Sequence, residues 1–170
     1  MGDDMIPIYL CEDNTLQLDL LKSMIEKYIF IQAYDMEIRQ AVHTPHELLN
    51  LLPDQPENAV YFLDIHLHSD MDGIELASAI RQKDPRAFII FTTTHSEMAM
   101  TTFRYQVEPL GFLIKDDPNY TLQILHCLQS VLEKSKIPAS PNGRLHFRMP
   151  DQDLFLSLIH ISEPTRRVVI

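Results

Sequence analysis

YFLDIHLHSDMDGIEL, residues 61–76, passes from an apolar run through a polar loop into a helical pattern. The run over 59–63 reads as an uninterrupted strand, as expected where both faces of a sheet are covered. Asp64 follows it directly, and a charge left unpaired there is costly. Gly73 comes nine residues later. Helical spacing then holds over 74–83 and stops at Asp84-Pro85, where the proline disfavours helical backbone in the residue before it.

The same alternation extends in both directions. Upstream, 6–10 reads as a buried strand, and 15–29 as a helix with Leu18, Leu21, Met24, Ile25 and Tyr28 on one face. A second strand, 36–42, alternates more weakly. Thr44-Pro45-His46-Glu47 supplies an N-cap, a proline at the first helical position and a capping-box acid, opening a short helix over 48–52. Downstream, 88–91 is a fourth strand, 97–105 a short helix and 110–114 a fifth strand. A last helix over 120–135 has Thr121, Leu125, Leu128 and Leu132 spaced by 4, 3 and 4. Strands alternating with helices imply parallel pairing through right-handed crossovers. The expected fold is α/β: a doubly wound five-stranded parallel sheet between two helix layers. Ligands of such sheets sit beyond the carboxyl ends of the strands, where the winding reverses.

Composition narrows the function classes. The chain has 170 residues, 45% hydrophobic and 22% charged, with a net charge of −10. That length suits one domain plus a fragment. No apolar run approaches the ~20 residues that span a bilayer, and the opening Met-Gly-Asp-Asp-Met has acids where a signal peptide needs positive charge. Two cysteines, Cys11 and Cys127, sit in apolar stretches without the flanking cations of a reactive thiolate. They point to a reducing, cytoplasmic setting. The acidic balance argues against a chain that mainly neutralises nucleic-acid phosphates. Residues 1–135 hold nine basic and 21 acidic side chains, net −12, whereas 136–170 hold five and three, net +2. The change falls on Lys-Ile-Pro-Ala-Ser-Pro-Asn-Gly, which interrupts regular structure. The chain therefore divides into a domain over 1–135, a linker over 136–143 and a fragment over 144–170.

The strand ends carry the chemistry. They read Cys11-Glu12-Asp13, Asp64-Ile65-His66, Thr92-Thr93-Thr94 and Lys115-Asp116-Asp117. The sheet rule brings Glu12, Asp13, Asp64, Thr93 and Lys115 to one rim. Three carboxylates packed together repel, and a hard divalent cation, Mg2+ above others, relieves them while leaving room for water and phosphate oxygens. Lysine and threonine beside the cation suit a phosphoryl group, one as point charge and one as hydrogen-bond donor.

Taken singly, each piece has an ordinary reading. A paired acid after a strand is commonly a helix cap, and a lysine at a strand end is commonly a solvated tip. The specificity lies in their combination and order. His66, His68, Asp70 and Asp72 alternate as a transition-metal loop would, yet loop histidines near acids are ordinarily solvated. Cap or surface roles suit His43, His46 and His95, and packing roles suit Met98, Met100 and Phe103. A phosphatase of the haloacid-dehalogenase type wants a second carboxylate two residues after its nucleophile, where this chain has His66. A non-phosphorylated adaptor would usually lack one of the acids or the lysine, and all are present.

These residues resemble the receiver domain of two-component response regulators over 6–135. YFLDIHLHSDMDGIEL, IIFTTTHSE and FLIKDD are most similar to the AgrA/ComE-type LytTR branch. The resemblance implies a flavodoxin-like (CheY-like) fold and Mg2+-dependent phosphotransfer from a membrane sensor histidine kinase. It implies Asp64 as phosphoacceptor, Thr93 as switch hydroxyl, Lys115 as active-site lysine and Phe112 as aromatic switch residue. The implied metal ligands are Glu12, Asp13, Asp64 and the backbone carbonyl of His66. It further implies a phosphorylation-dependent homodimer through the helix over 97–105, the fifth strand and the last helix, and transcriptional control in peptide quorum sensing. Enzymatic activity would be limited to modifying its own Asp64 and slow autodephosphorylation. Two departures mark the branch: Asp116 replaces the usual proline after the lysine, and the loop from Asp64 to Gly73 is one residue longer than the commonest spacing and lacks its proline.

After the linker, Arg144-Leu145-His146-Phe147-Arg148 alternates like a strand, and Asp153-Leu154-Phe155 opens another, resembling the start of a LytTR DNA-binding domain. Only 27 residues remain from Arg144, and two strands alone are marginally stable. From Leu156 the text LSLIHISEPTRRVVI leaves the family pattern, and its first part resembles a translated sequencing-library adapter. The expectation is an artefact at this end, ahead of a natural truncation. Promoter DNA is then a partner of intact relatives and not of these 170 residues.

Overall fold

Near-continuous apolar runs form the strands, and stripes of period 3.6 form the helices that cover them. The computed structural model describes residues 5–95, 97 and 106–136. In chain order these give β1 (Ile6–Cys11), α1 (Thr15–Gln32), β2 (Met36–Val42), α2 (Pro45–Leu51), β3 (Val60–Asp64) and α3 (Gly73–Lys83), then β4 (Phe88–Thr93), β5 (Gly111–Ile114) and α4 (Tyr120–Ser135). The sheet order is β2-β1-β3-β4-β5, with every pairing parallel. The winding therefore reverses between β1, which leads into Glu12, and β3, which ends at Asp64.

Both sheet faces are buried, which is why the strands carry so few polar residues. Tyr9, Cys11, Tyr61, Leu63, Ile89 and Phe91 pack against Leu48 of α2 and Ile74, Ala77 and Ile80 of α3. On the opposite face, Ile8, Leu10, Val60, Phe62, Ile90 and Leu113 meet two helices. Leu18, Leu21 and Ile25 come from α1, and Ile124, Leu128 and Val131 from α4. Burying each large aliphatic side chain stabilises the fold by roughly 1.5–3 kcal/mol.

Helix ends follow local hydrogen-bond chemistry. Thr44 and Glu47 form the expected capping box, so α2 starts at Pro45. Asp72 forms a second box with Glu75, and α3 starts at Gly73. The apolar period of α1 stops at Ile29, but the helix continues to Gln32 and ends on Ala33 in the left-handed region (φ 51°). Phe30 and Ile31, 87% and 59% exposed, lie off the buried face, so the pattern ends before the helix does. The buried stripe of α4 is Ile124, Leu128 and Val131, whereas Thr121 is exposed.

Arg81 fixes the approach to β5. Its guanidinium donates to the carbonyls of Pro85, Ala87, Val107 and Glu108. Val107 is buried between Gln106 and Glu108, which have φ of 53° and 50°. Leu110 is buried in the core, so it is not available to the expected dimer face. Apart from Glu97 and Lys136, the expected helix over 97–105, the linker and the fragment over 144–170 lie outside the described residues. No described helix is long and apolar enough to cross a membrane.

Candidate functional site

Parallel pairing and strand alternation build the site. Ile8 and Leu10 of β1 and Val60 and Phe62 of β3 face the α1/α4 layer. Two residues further along each strand, Glu12 and Asp64 continue on that side. Glu12 is 2% exposed and Asp64 6%. With Asp13, they form a group whose carboxylate oxygens lie within 4.8 Å of one another.

Lys115 enters from the end of β5. Its backbone N–H donates to the Thr93 carbonyl at 2.8 Å, which ties the two strand ends together. Its Nζ donates to Glu12 Oε2 at 2.5 Å and to Gln17 Oε1 at 2.6 Å, and lies 3.3 Å from Asp64 Oδ2. The lysine thus bridges the two buried acids across the winding switch. Gln17 was not among the expected site residues. It is placed by the α1 N-terminus, where the Asn14 side chain accepts from the Gln17 N–H at 3.1 Å. The Asn14 cap followed by a helix from Thr15 is the sequence signal that could have found it.

The remaining contacts orient the acids. Glu12 Oε1 accepts from the Asn14 N–H at 3.1 Å, and Asp64 Oδ1 from the His66 N–H at 3.4 Å. Asp13 Oδ2 accepts from the His68 N–H at 3.3 Å and also meets the His68 ring at Nδ1. The loop after Asp64 returns so closely that a Cβ on Gly73 would stand 2.0 Å from the Asp64 carbonyl oxygen. Thr93 is fully buried, and its Oγ1 accepts from the His95 N–H at 3.1 Å. The half-buried Phe112 ring lies 6.2 Å from that of Phe91 at 55°. The His66 ring meets the His95 ring edge-on at 4.7 Å.

Burial, reinforced by the charge of Asp64, holds the Glu12 carboxyl above the ordinary range, against the opposing pull of Lys115 and the Asn14 N–H. Burial also acts upward on Asp13, but its bonds with His68 win and bring it below the usual value. Two buried carboxylates thus share one ammonium, with the Asp13 carboxylate beside them turned to His68. An all-oxygen, charge-excess set of this kind fits a hard divalent cation.

His66, His68, Asp70 and Asp72 do not converge. Asp70 accepts from His46 at 2.8 Å, and Asp72 caps α3. Among the described residues, Glu12, Asp13 and Asp64 are the acid cluster able to hold a metal. Both described cysteines are free, and burial pushes each thiol up to about 12. A cleft of about 220 Å³ beside Lys115 is walled by Gln17, Leu20, Leu21, Met24, Asp116 and Tyr120. It is smaller than the ~300–1,000 Å³ usual for small-molecule sites.

Residues 8–126 match the family described as the response regulator receiver domain. The chain is 40% identical over 131 residues to accessory gene regulator protein A of Staphylococcus epidermidis, covering 76% of this chain and 55% of that protein. It is 38% identical over 137 residues to accessory gene regulator protein A of Staphylococcus aureus, covering 80% and 58%. The chain therefore spans little more than half the length of these relatives. Its fold is that of the response regulatory domain of protein mrkE from Klebsiella pneumoniae, with a TM-score of 0.61, 23% identity and coverage of 76% and 97%. The receiver domain of AraT from Geobacillus stearothermophilus gives a TM-score of 0.60, 21% identity and coverage of 78% and 99%. With the switch-point acids, the bridging lysine and this matched span in place, the chain belongs to the response regulator receiver family.

Proposed function

We propose that this chain is the phosphoacceptor part of a two-component response regulator, with Asp64 taking a phosphoryl group from a phosphohistidine of a membrane sensor kinase. The observation that carries the reading is Lys115 bridging Glu12 and Asp64 at the winding switch. Asp64 attacks phosphorus through a carboxylate oxygen. As the new O–P bond forms, the P–N bond breaks, and the imidazole nitrogen leaves with the electron pair and takes a proton from solvent. Lys115, already beside Asp64, neutralises charge on the transferred group. Thr93 donates its hydroxyl to another phosphoryl oxygen, and Phe112 turns into the space this opens. Glu12, Asp13, Asp64 and the His66 carbonyl would hold Mg2+, which screens the carboxylates from the incoming phosphoryl oxygens.

Downstream, the added charge selects one of two packings of the face made by 97–105, β5 and α4, and promotes a homodimer there. The setting is cytoplasmic, and the output is transcriptional control of the peptide quorum-sensing kind. Division of the chain at 136–143 and an adapter-like tail from 156 complete this reading. Acetyl phosphate with Mg2+ tests it: the chain should gain one hydroxylamine-labile phosphoryl group by mass, and Asp64→Asn should gain none. Equal labelling of the variant would refute the assignment. Turnover of small phosphoesters would favour a phosphatase instead.

A further inference from the structure

One polar atom at the site has no partner. Thr92 is 1% exposed, and its Oγ1 is buried without a hydrogen bond among the described residues. An unmade buried hydroxyl is destabilising. Thr92 is also the in-register partner of Asp64 across β3 and β4. Phe88 and Ile90 of β4 pack in the same layer as Val60 and Phe62 of β3. Alternation therefore puts the Thr92 and Asp64 side chains on one side of the sheet, a strand spacing of ~4.8 Å apart. Thr93, the next residue, falls on the opposite alternation; its Oγ1 accepts the His95 N–H and keeps its own proton to donate, so Thr92 would act beside it and not in its place.

Both carboxylate oxygens of Asp64 are engaged as they stand, one by Lys115 and the other by the His66 N–H. A phosphoryl group on Asp64 would bring new acceptor oxygens to the place where a donor waits unused. We infer that the Thr92 hydroxyl is a further phosphoryl-binding donor, unmade while Asp64 is a free carboxylate and made when the phosphoryl group arrives. This rests on Asp64 as the phosphoacceptor. A bond present in one state alone moves the equilibrium toward that state. The competing account is that Thr92 is a β-branched filler whose hydroxyl does nothing, in which case valine would serve equally in both states.

Beryllofluoride, an equilibrium stand-in for a phosphoryl group on a carboxylate, separates the two. Its binding to the full chain with Mg2+ is measured by calorimetry for Thr92→Val, Thr92→Ser and Asp64→Asn, and thermal midpoints are measured without it. Thr92→Val should raise the midpoint of the free protein yet weaken beryllofluoride binding roughly 3- to 10-fold, the size of one hydrogen bond. Thr92→Ser should stay within about twofold of the parent, since it keeps the donor. Parent-like binding by Thr92→Val, or a lowered midpoint of its free form, would overturn the inference. Loss of binding in Asp64→Asn beside a neutral Thr92→Val defeats the Thr92 role alone, whereas binding retained by Asp64→Asn defeats the reading of Asp64 itself.

Discussion

Lys115 links the two buried acids of the site. Its side chain is 12% exposed, and its ammonium lies between Glu12 and Asp64, whose side chains are 3% and 8% exposed. Removing one partner of a buried ion pair commonly costs about 3–5 kcal/mol. Lys115→Met should therefore lower stability to urea by that order in metal-free buffer, and millimolar Mg2+ should restore part of the loss. A variant as stable as the parent without metal would show that the lysine does not compensate these acids. The two thiols give a pH-dependent counterpart. Burial raises Cys127 from 9.0 to about 12, so the folded state holds its proton more tightly than the unfolded chain does. Its contribution to stability is full below about pH 9 and is lost as pH rises through about 12. A disulfide reagent at pH 8 should accordingly label Cys11 and Cys127 slowly in the native protein and readily in urea. Fast native labelling of either would contradict the burial of its thiol. Residue types and order made Glu12, Asp13, Asp64 and Lys115 legible in sequence. Gln17 and Thr92 were not, because their significance depends on which atom faces which across a sheet or a helix turn.

Elements were legible where local chemistry and burial agree. Thr-Pro-His-Glu announces α2 because cap, proline and capping acid all act within one turn. Asp72 hid the start of α3 because it ends a run of alternating polar residues that looks like a metal loop. The α4 stripe was shifted because Thr121 and Leu125 share a period with Leu128 but not its burial. Gly73 shows how tightly one element constrains another. A Cβ there would stand 2.0 Å from the Asp64 carbonyl oxygen and 2.8 Å from Ile65 Cα, both backbone atoms that cannot step aside cheaply. Gly73→Ala should cost at least ~1–3 kcal/mol and slow phosphorylation by displacing Asp64. Parent-like stability and labelling would mean that the loop has slack which the structure does not show.

At the scale of the molecule, topology was the most legible feature. Near-continuous apolar strands and amphipathic helices in strict alternation leave few arrangements, and the switch between β1 and β3 follows from strand order. The output surface was less so, because a run of apolar residues such as that ending in Leu110 does not say which side chains face outward, and Leu110 is buried. The dimer should still assemble through 97–105, β5 and α4, so sedimentation should give a monomer without beryllofluoride and a dimer with it. An unchanged mass would place the output elsewhere. All of this depends on one covalent event at one side chain. Borohydride reduces an aspartyl phosphate to homoserine, so the chain can be phosphorylated with acetyl phosphate and Mg2+, reduced, digested and sequenced by mass. The account predicts homoserine at position 64 and at no other acid. Aspartate intact at 64, with homoserine elsewhere or nowhere, would contradict it.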